Sequence, residues 1–402
     1  MPVSEIFHNP FVGTLEDDIS LIHSRSFVAN DLASPADIAS FHASLNNLMP
    51  TPLISHPSLA SSLGVSKVFI KCETSRLGLP AYKILGASYA IYRYLRRILD
   101  VPDDETTTIT DIAPAAQKAL VHLVCATDGN HGRAVARMAA LLDLPATVYV
   151  PSFVPQHTIN AIYSERRNPQ RPINVTKVPG DYLQAEQAAR KDSQTNTLHH
   201  LIQDNHFPEL KDDSIIAWIM AGYRTIFYEI DSTLALHNCD PDLIVVPVGV
   251  GSLAQTAAMH YNRHSVPDAK SDHRSPKIMT VEPTTASSLF TSLRAGKIQT
   301  IQTGDTILTG LNCGTVSPLA FPILKNSVDF ATTVEDWDAH KGILELRGIG
   351  IDAGPIAGAC TSALRGMNRE ELRMNRNSVV VVVATEGRRE YEVPTKPVHL
   401  KA

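Results

Sequence analysis

The chain has 402 residues, 44% of them apolar, and its 41 acidic against 36 basic side chains give a formal net charge of −5. That length supports a large core and about two or three domains, and the interspersed charges, with no long basic run, lack the footprint of a nucleic-acid binder. No apolar run approaches the roughly 20 residues of a membrane-spanning helix. The N-terminal Met1-Pro2-Val3-Ser4-Glu5-Ile6-Phe7-His8 lacks the basic and apolar regions of a secretory signal. Cys72, Cys125, Cys239, Cys313 and Cys360 are too scattered for a disulfide framework or a paired-cysteine zinc motif. The expectation is a cytoplasmic protein with reduced thiols and no metal, whose partners are small molecules rather than nucleic acid or membrane.

From about residue 66, short runs rich in β-branched residues alternate with helical periodicity. Val68-Phe69-Ile70 is the first predicted strand. An irregular stretch follows and ends in Leu79-Pro80-Ala81-Tyr82-Lys83, where the proline favours an extended approach. A helix over 84–99 is then predicted from Ile84, Leu85, Ile91, Leu95 and Ile98. Lys83 therefore stands where a helix would fix the backbone beside its amine. A lysine that forms a Schiff base needs a cleft, local desolvation and an amine free to carry protons; spacing alone favours a solvated lysine at a helix start.

The polar stretch 101–114 reads as a surface excursion. After a strand at 123–126, Thr127-Asp128-Gly129-Asn130-His131-Gly132 turns into a helix over 133–142. Glycines 129 and 132 permit close approach, and the first amides of the helix attract negative charge. Asn130 offers an amide donor there, Asp128 is a candidate acid or base, and His131 reads as structural. Strands at 146–150 and 175–178, a helix at 182–192, the segment Gln203-Asp204-Asn205-His206 with a second candidate carboxylate, and a helix at 215–230 come next.

A buried-looking strand at 243–248 runs into Gly249-Val250-Gly251-Ser252-Leu253-Ala254 and a helix over 253–262. The inward-pointing amides of such a loop hold phosphate without a lysine. The same spacing fits a dinucleotide fingerprint, with Glu282 after the strand 278–281 as the ribose acid. That acid comes about 30 residues on, where the fingerprint expects about 20, and a dinucleotide site would leave Lys83 and the asparagine turn unused. The stretch 264–276 is a further polar excursion. The last strand is predicted at 379–383, before Ala384-Thr385-Glu386-Gly387. Continuous apolar strands alternating with helices imply an α/β fold with parallel sheets flanked by helices.

Arg76-Leu77-Gly78-Leu79-Pro80-Ala81-Tyr82-Lys83-Ile84-Leu85-Gly86, the asparagine turn and the 249–254 loop resemble, in order and spacing, the tryptophan synthase β-like enzymes, which are pyridoxal 5'-phosphate (PLP) enzymes of fold type II, and among them the diaminopropionate ammonia-lyases. The resemblance runs from about Pro52 to Gly387. It implies a large cofactor-binding domain from 1–84 and 195–402, a smaller inserted domain of 85–194, a cofactor in the cleft between them, and a homodimer. It makes Lys83 the Schiff-base lysine, Asn130 the donor to the cofactor's phenolic oxygen, and Gly249, Val250, Gly251, Ser252 and Leu253 the phosphate loop. Asp128 and Asp204 would be catalytic carboxylates.

Three departures stand out. The family aromatic and glycine after Asp204 are replaced by Phe207-Pro208-Glu209-Leu210, the usual serine near the pyridine nitrogen falls on Ala384 with Thr385 beside it, and Pro355 and Ile356 replace a glutamate and a serine. Gly310-Leu311-Asn312-Cys313-Gly314 and Pro318-Leu319-Ala320 resemble a segment lining the family's substrate cleft, and also fit a loop that merely packs. The expected activity is elimination of ammonia from a 2,3-diamino acid to a 2-oxo acid. Elimination or replacement on another β-substituted amino acid, and cofactor binding without turnover, are the alternatives.

Overall fold

The computed structural model describes residues 5–13, 35–45, 49–101, 107–204, 214–261 and 275–396. Its strands are β1 (Ile6–His8), β2 (Leu53–Ser55), β3 (Lys67–Cys72), β4 (His122–Ala126), β5 (Ala146–Pro151), β6 (Ile173–Val178), β7 (His199–Leu201), β8 (Leu243–Pro247), β9 (Lys277–Pro283), β10 (Phe330–Val334) and β11 (Val379–Ala384). The chain divides into two compact units. One comprises Met1–His23, Pro50–Ser75 and Ile226–Ala402, the other Ser24–Met49 and Arg76–Thr225. The second unit takes in 24–49, 76–84 and 195–225 as well as the expected 85–194, and so holds both Lys83 and Asp204.

The first unit contains a seven-stranded sheet in the order β1-β10-β9-β8-β11-β3-β2. Its five inner strands are parallel, and β1 and β2 close the edges antiparallel. β11 is apolar at every position, from Val379 to Ala384, and each is buried. A strand covered on both faces has no solvent side to alternate with. The second unit contains a four-stranded parallel sheet, β6-β5-β4-β7.

The seven predicted strands are present, and β1, β2, β7 and β10 are additional. Three of these span three residues, too few to show a period, and β10 reads Phe-Ala-Thr-Thr-Val, without a long apolar run. The polar stretch 101–114 needs a correction, because a helix, Ile109–Lys118, begins inside it. The Thr108 amide and hydroxyl both donate to Asp111, at 2.8 and 2.7 Å, closing a capping box. Pro114 lies within this helix and forgoes one backbone bond. The excursion at 264–276 lies outside the described residues up to 274.

Candidate active site

Lys83 is the first residue of the helix Lys83–Ile98. The approach is a tight reversal in which Arg76 and Leu79 exchange backbone hydrogen bonds of 2.8 and 2.9 Å. Leu77 (φ 52°) and Gly78 (φ 72°) form the bend, and the Arg137 guanidinium holds the Leu77 carbonyl at 2.6 Å. The lysine backbone is thus fixed on both sides.

The Lys83 amine donates to Asp204 Oδ2 at 2.6 Å, with the lysine side chain 23% and the aspartate 9% exposed. Asp204 reaches this position through its predecessors. The Ile202 amide donates to the Val124 carbonyl, and the Gln203 side chain brackets Ala126, accepting from its amide at 2.9 Å and donating to its carbonyl at 3.2 Å. The chain leaving β7 is therefore stitched to the end of β4, where the asparagine turn begins. Burial works against the Lys83 charge, but the Asp204 carboxylate outweighs it and holds the ammonium well above the ordinary lysine value. For Asp204, burial pushes upward, yet the Lys83 charge, helped by His131, holds the carboxyl well below the usual range.

Two tyrosines flank the amine, which lies 5.5 Å from the Tyr82 ring centre and 5.7 Å from that of Tyr223. Tyr223 comes from the helix Ser214–Leu236, whose Gly222 meets Gly86 of the lysine helix. A Cβ on Gly222 would stand 2.3 Å from the Leu85 carbonyl oxygen and 2.9 Å from Gly86 Cα. Neither tyrosine was singled out from the sequence. Tyr82 has a local signal, adjacency to Lys83; Tyr223 is 140 residues further along the chain, and nothing in its periodicity marks it.

The turn after β4 follows the expectation. Asn130 opens the helix Asn130–Leu141 and is half-buried, as is Asp128. Gly132 is required by packing: a Cβ there would lie 2.3 Å from Thr127 Cγ2 and 2.7 Å from Val148 Cγ1. His131 is buried and its Nε2 lies 2.9 Å from the Ile202 carbonyl. The structure thus brings Lys83, Asp204 and His131 together in the second unit. Phe207-Pro208-Glu209-Leu210 lie outside the described residues.

In the first unit, Gly249 and Val250 are half-buried, and Gly251 adopts φ 106° as the cap of the helix Ser252–His260. A side chain at Gly251 would be strained and would press on Ala320 and Leu324 at 3.1 Å. The segment 310–320 packs on this loop: a Cβ on Gly249 would come 3.1 Å from the Gly310 carbonyl, and the Ser317 amide donates to the Val250 carbonyl at 2.9 Å. The first amides of a helix lack intrahelical acceptors, so the loop offers donors to an anion. Thr385 is buried immediately after β11, and the adjacent Glu386 carboxylate accepts from the Ile356 amide at 3.2 Å.

Glu282, the rival ribose acid, is 1% exposed and accepts from the Leu289 and Phe290 amides at 2.8 and 2.7 Å. It serves the start of the helix Ser288–Ala295 and is not presented to a ribose. A PLP cofactor needs a reachable amine, an amide donor and a phosphate cradle, and Lys83, Asn130 and the 249–253 loop are of those kinds. The residues present fit the group.

The family model for pyridoxal-phosphate dependent enzymes matches residues 45–386. A diaminopropionate ammonia-lyase of Salmonella typhimurium is 30% identical over 379 residues, covering 87% of this chain and 88% of its own. That of Escherichia coli (strain K12) is 30% identical over 369 residues, 86% of each. The crystal structure of the Escherichia coli diaminopropionate ammonia lyase in complex with an aminoacrylate-PLP azomethine reaction intermediate superposes with a TM-score of 0.77 at 25% identity, over 95% of this chain and 93% of that one.

Proposed function

The chain belongs to the pyridoxal-phosphate dependent enzymes, and on that premise we propose that it eliminates ammonia from a 2,3-diamino acid of the diaminopropionate kind. One substrate and one water give a 2-oxo acid and two ammonia. The observation that carries this reading is the 2.6 Å contact of Lys83 with Asp204 beside the asparagine turn. The named activity of relatives covering most of the chain supports the substrate class.

PLP, when bound, supplies a carbonyl that takes up the substrate amine and an electron sink for the α-carbon. Lys83 would hold it through Nζ and would afterwards move protons on that atom. Asn130 would donate to its phenolic oxygen, the amides of Gly249, Val250, Gly251, Ser252 and Leu253 would receive phosphate, and Thr385 would offer a hydroxyl to the ring nitrogen. Lys83 or Asp128, depending on the stereochemistry of the substrate, removes the α-proton. Asp204 orients the Lys83 amine and exchanges a proton with it.

No helix among the described residues is long and apolar enough to cross a membrane. All five cysteines are free thiols, which supports a reducing, cytoplasmic location. A homodimer completes the reading, supported by the family resemblance alone and checked by sedimentation.

A panel of β-substituted D- and L-amino acids, assayed for ammonia and 2-oxo acid with PLP present, tests the function. The reading expects diaminopropionate to be preferred, with two ammonia per 2-oxo acid. Turnover confined to serine, threonine or thio-substituted amino acids would replace it with another elimination, and cofactor uptake without turnover would make the protein a binder.

A further inference from the structure

We propose that His131 is the second partner of Asp204, taking up the proton that neutralises this carboxylate whenever the Lys83 amine is uncharged or covalently engaged. The proposal rests on the reading of Lys83 as the amine that attaches the cofactor.

The hydrogen bonding of His131 fixes its tautomer. Its Nε2 lies 2.9 Å from the Ile202 carbonyl, and a carbonyl oxygen can only accept, so Nε2 carries a proton. Protonation therefore varies at Nδ1. That atom is buried, has no hydrogen-bond partner among the described residues, and stands 3.8 Å from Asp204 Oδ2. The same oxygen takes the Lys83 amine at 2.6 Å.

While Lys83 is an ammonium, lysine, aspartate and neutral histidine sum to zero charge, and 3.8 Å is too long for a hydrogen bond. Once the ammonium is gone, Asp204 is a buried carboxylate without a counter-ion, a costly state. Among the described residues, the other titratable groups acting on this pair are the phenols of Tyr82, just before the lysine helix, and of Tyr223, and the Cys125 thiol on β4. None of these is cationic. A proton on His131 Nδ1 restores the balance, and a shift of about 1 Å brings it into hydrogen-bond range of Oδ2. His131 is thus a positioning residue that keeps Asp204 ionised and oriented for its exchange with Nζ.

Histidine ¹⁵N NMR on the cofactor-free protein tests this without turnover. In the wild type at pH 7, His131 should show a proton on Nε2 alone. In Lys83→Met, which keeps length and removes charge, both ring nitrogens should be protonated at pH 7, and adding Asp204→Asn should return His131 to a single proton. An unprotonated Nδ1 in Lys83→Met would overturn the proposal.

His131→Gln is the second variant, because its amide can still donate to the Ile202 carbonyl while the Nδ1 position is lost. With PLP bound it should lower kcat about tenfold with KM unchanged. Unchanged kcat would assign His131 to structure alone. Since the NMR arm needs neither cofactor nor substrate, absence of ammonia release would sink the proposed reaction and leave this arrangement to be judged separately.

Discussion

Asp204 shows what a sequence hides at the scale of one residue. The segment after it departs from the family pattern, which weakens the sequence case for it beside the intact turn that carries Asp128. The structure nevertheless places Asp204 on the lysine, across 121 residues of sequence. No local pattern encodes a pairing that depends on Gln203 docking against the end of β4.

Asp204→Asn should cost the cofactor-free protein about 1–3 kcal/mol, less than a fully buried pair because Lys83 is partly exposed. The raised lysine contributes stability that is complete below its unfolded value of about 10.4 and lost as pH rises through its folded value. The depressed carboxyl contributes stability present above about 3.9 and lost as pH falls through its folded value. The deficit of the variant, measured by denaturant titration, should therefore be constant from about pH 5 to 9 and shrink toward either extreme. Asp128→Asn should slow elimination from one enantiomer by about 10²-fold. Steady-state kinetics on both enantiomers checks it, and full turnover of both would make Asp128 a structural residue of the turn.

At the scale of elements, one close approach shapes the site. The crossing at Gly86 and Gly222 lets the helix Ser214–Leu236 carry Tyr223 to the lysine. Gly222→Ala should destabilise the fold by about 1–3 kcal/mol or more, since the obstruction is backbone and cannot rotate away. A thermal midpoint equal to the wild type would show that the helices stand further apart.

Glu282 links β9 to the helix Ser288–Ala295. Burial pushes its carboxyl up to about 8 against the opposing pull of the backbone amides. The native state therefore binds a proton between about 4.3 and 8 that the unfolded chain releases, and this contribution to stability is complete below that window and lost as pH rises through it. Glu282→Gln should flatten the fall in unfolding free energy across this range, and an unchanged slope would place the titration elsewhere. The same carboxylate explains why the glycine loop imitates a dinucleotide fingerprint without a ribose partner.

At the scale of the whole molecule, the parallel interior strands were legible because strands covered on both faces read as continuous apolar runs, as at Leu243–Pro247 and Val379–Ala384. The edges were not. β1 and β2 are short, and the antiparallel partner of β1, β10, comes from distant chain. The candidate site was legible where chemistry is compact in sequence, at Lys83, the 127–132 turn and the 249–254 loop, and illegible where it is assembled by packing, as at Tyr223 and in the Lys83–Asp204 pair. The 101–114 stretch misled because Thr108 and Asp111, a helix cap, have the composition of a loop.

The central claim, that Lys83 is the amine through which this chain holds PLP, is tested most directly by borohydride reduction of the PLP-loaded protein followed by peptide mapping. The account predicts a yellow protein that bleaches on reduction and one pyridoxyl-modified peptide, carrying the label on Lys83. A label on another lysine, or none, would contradict it.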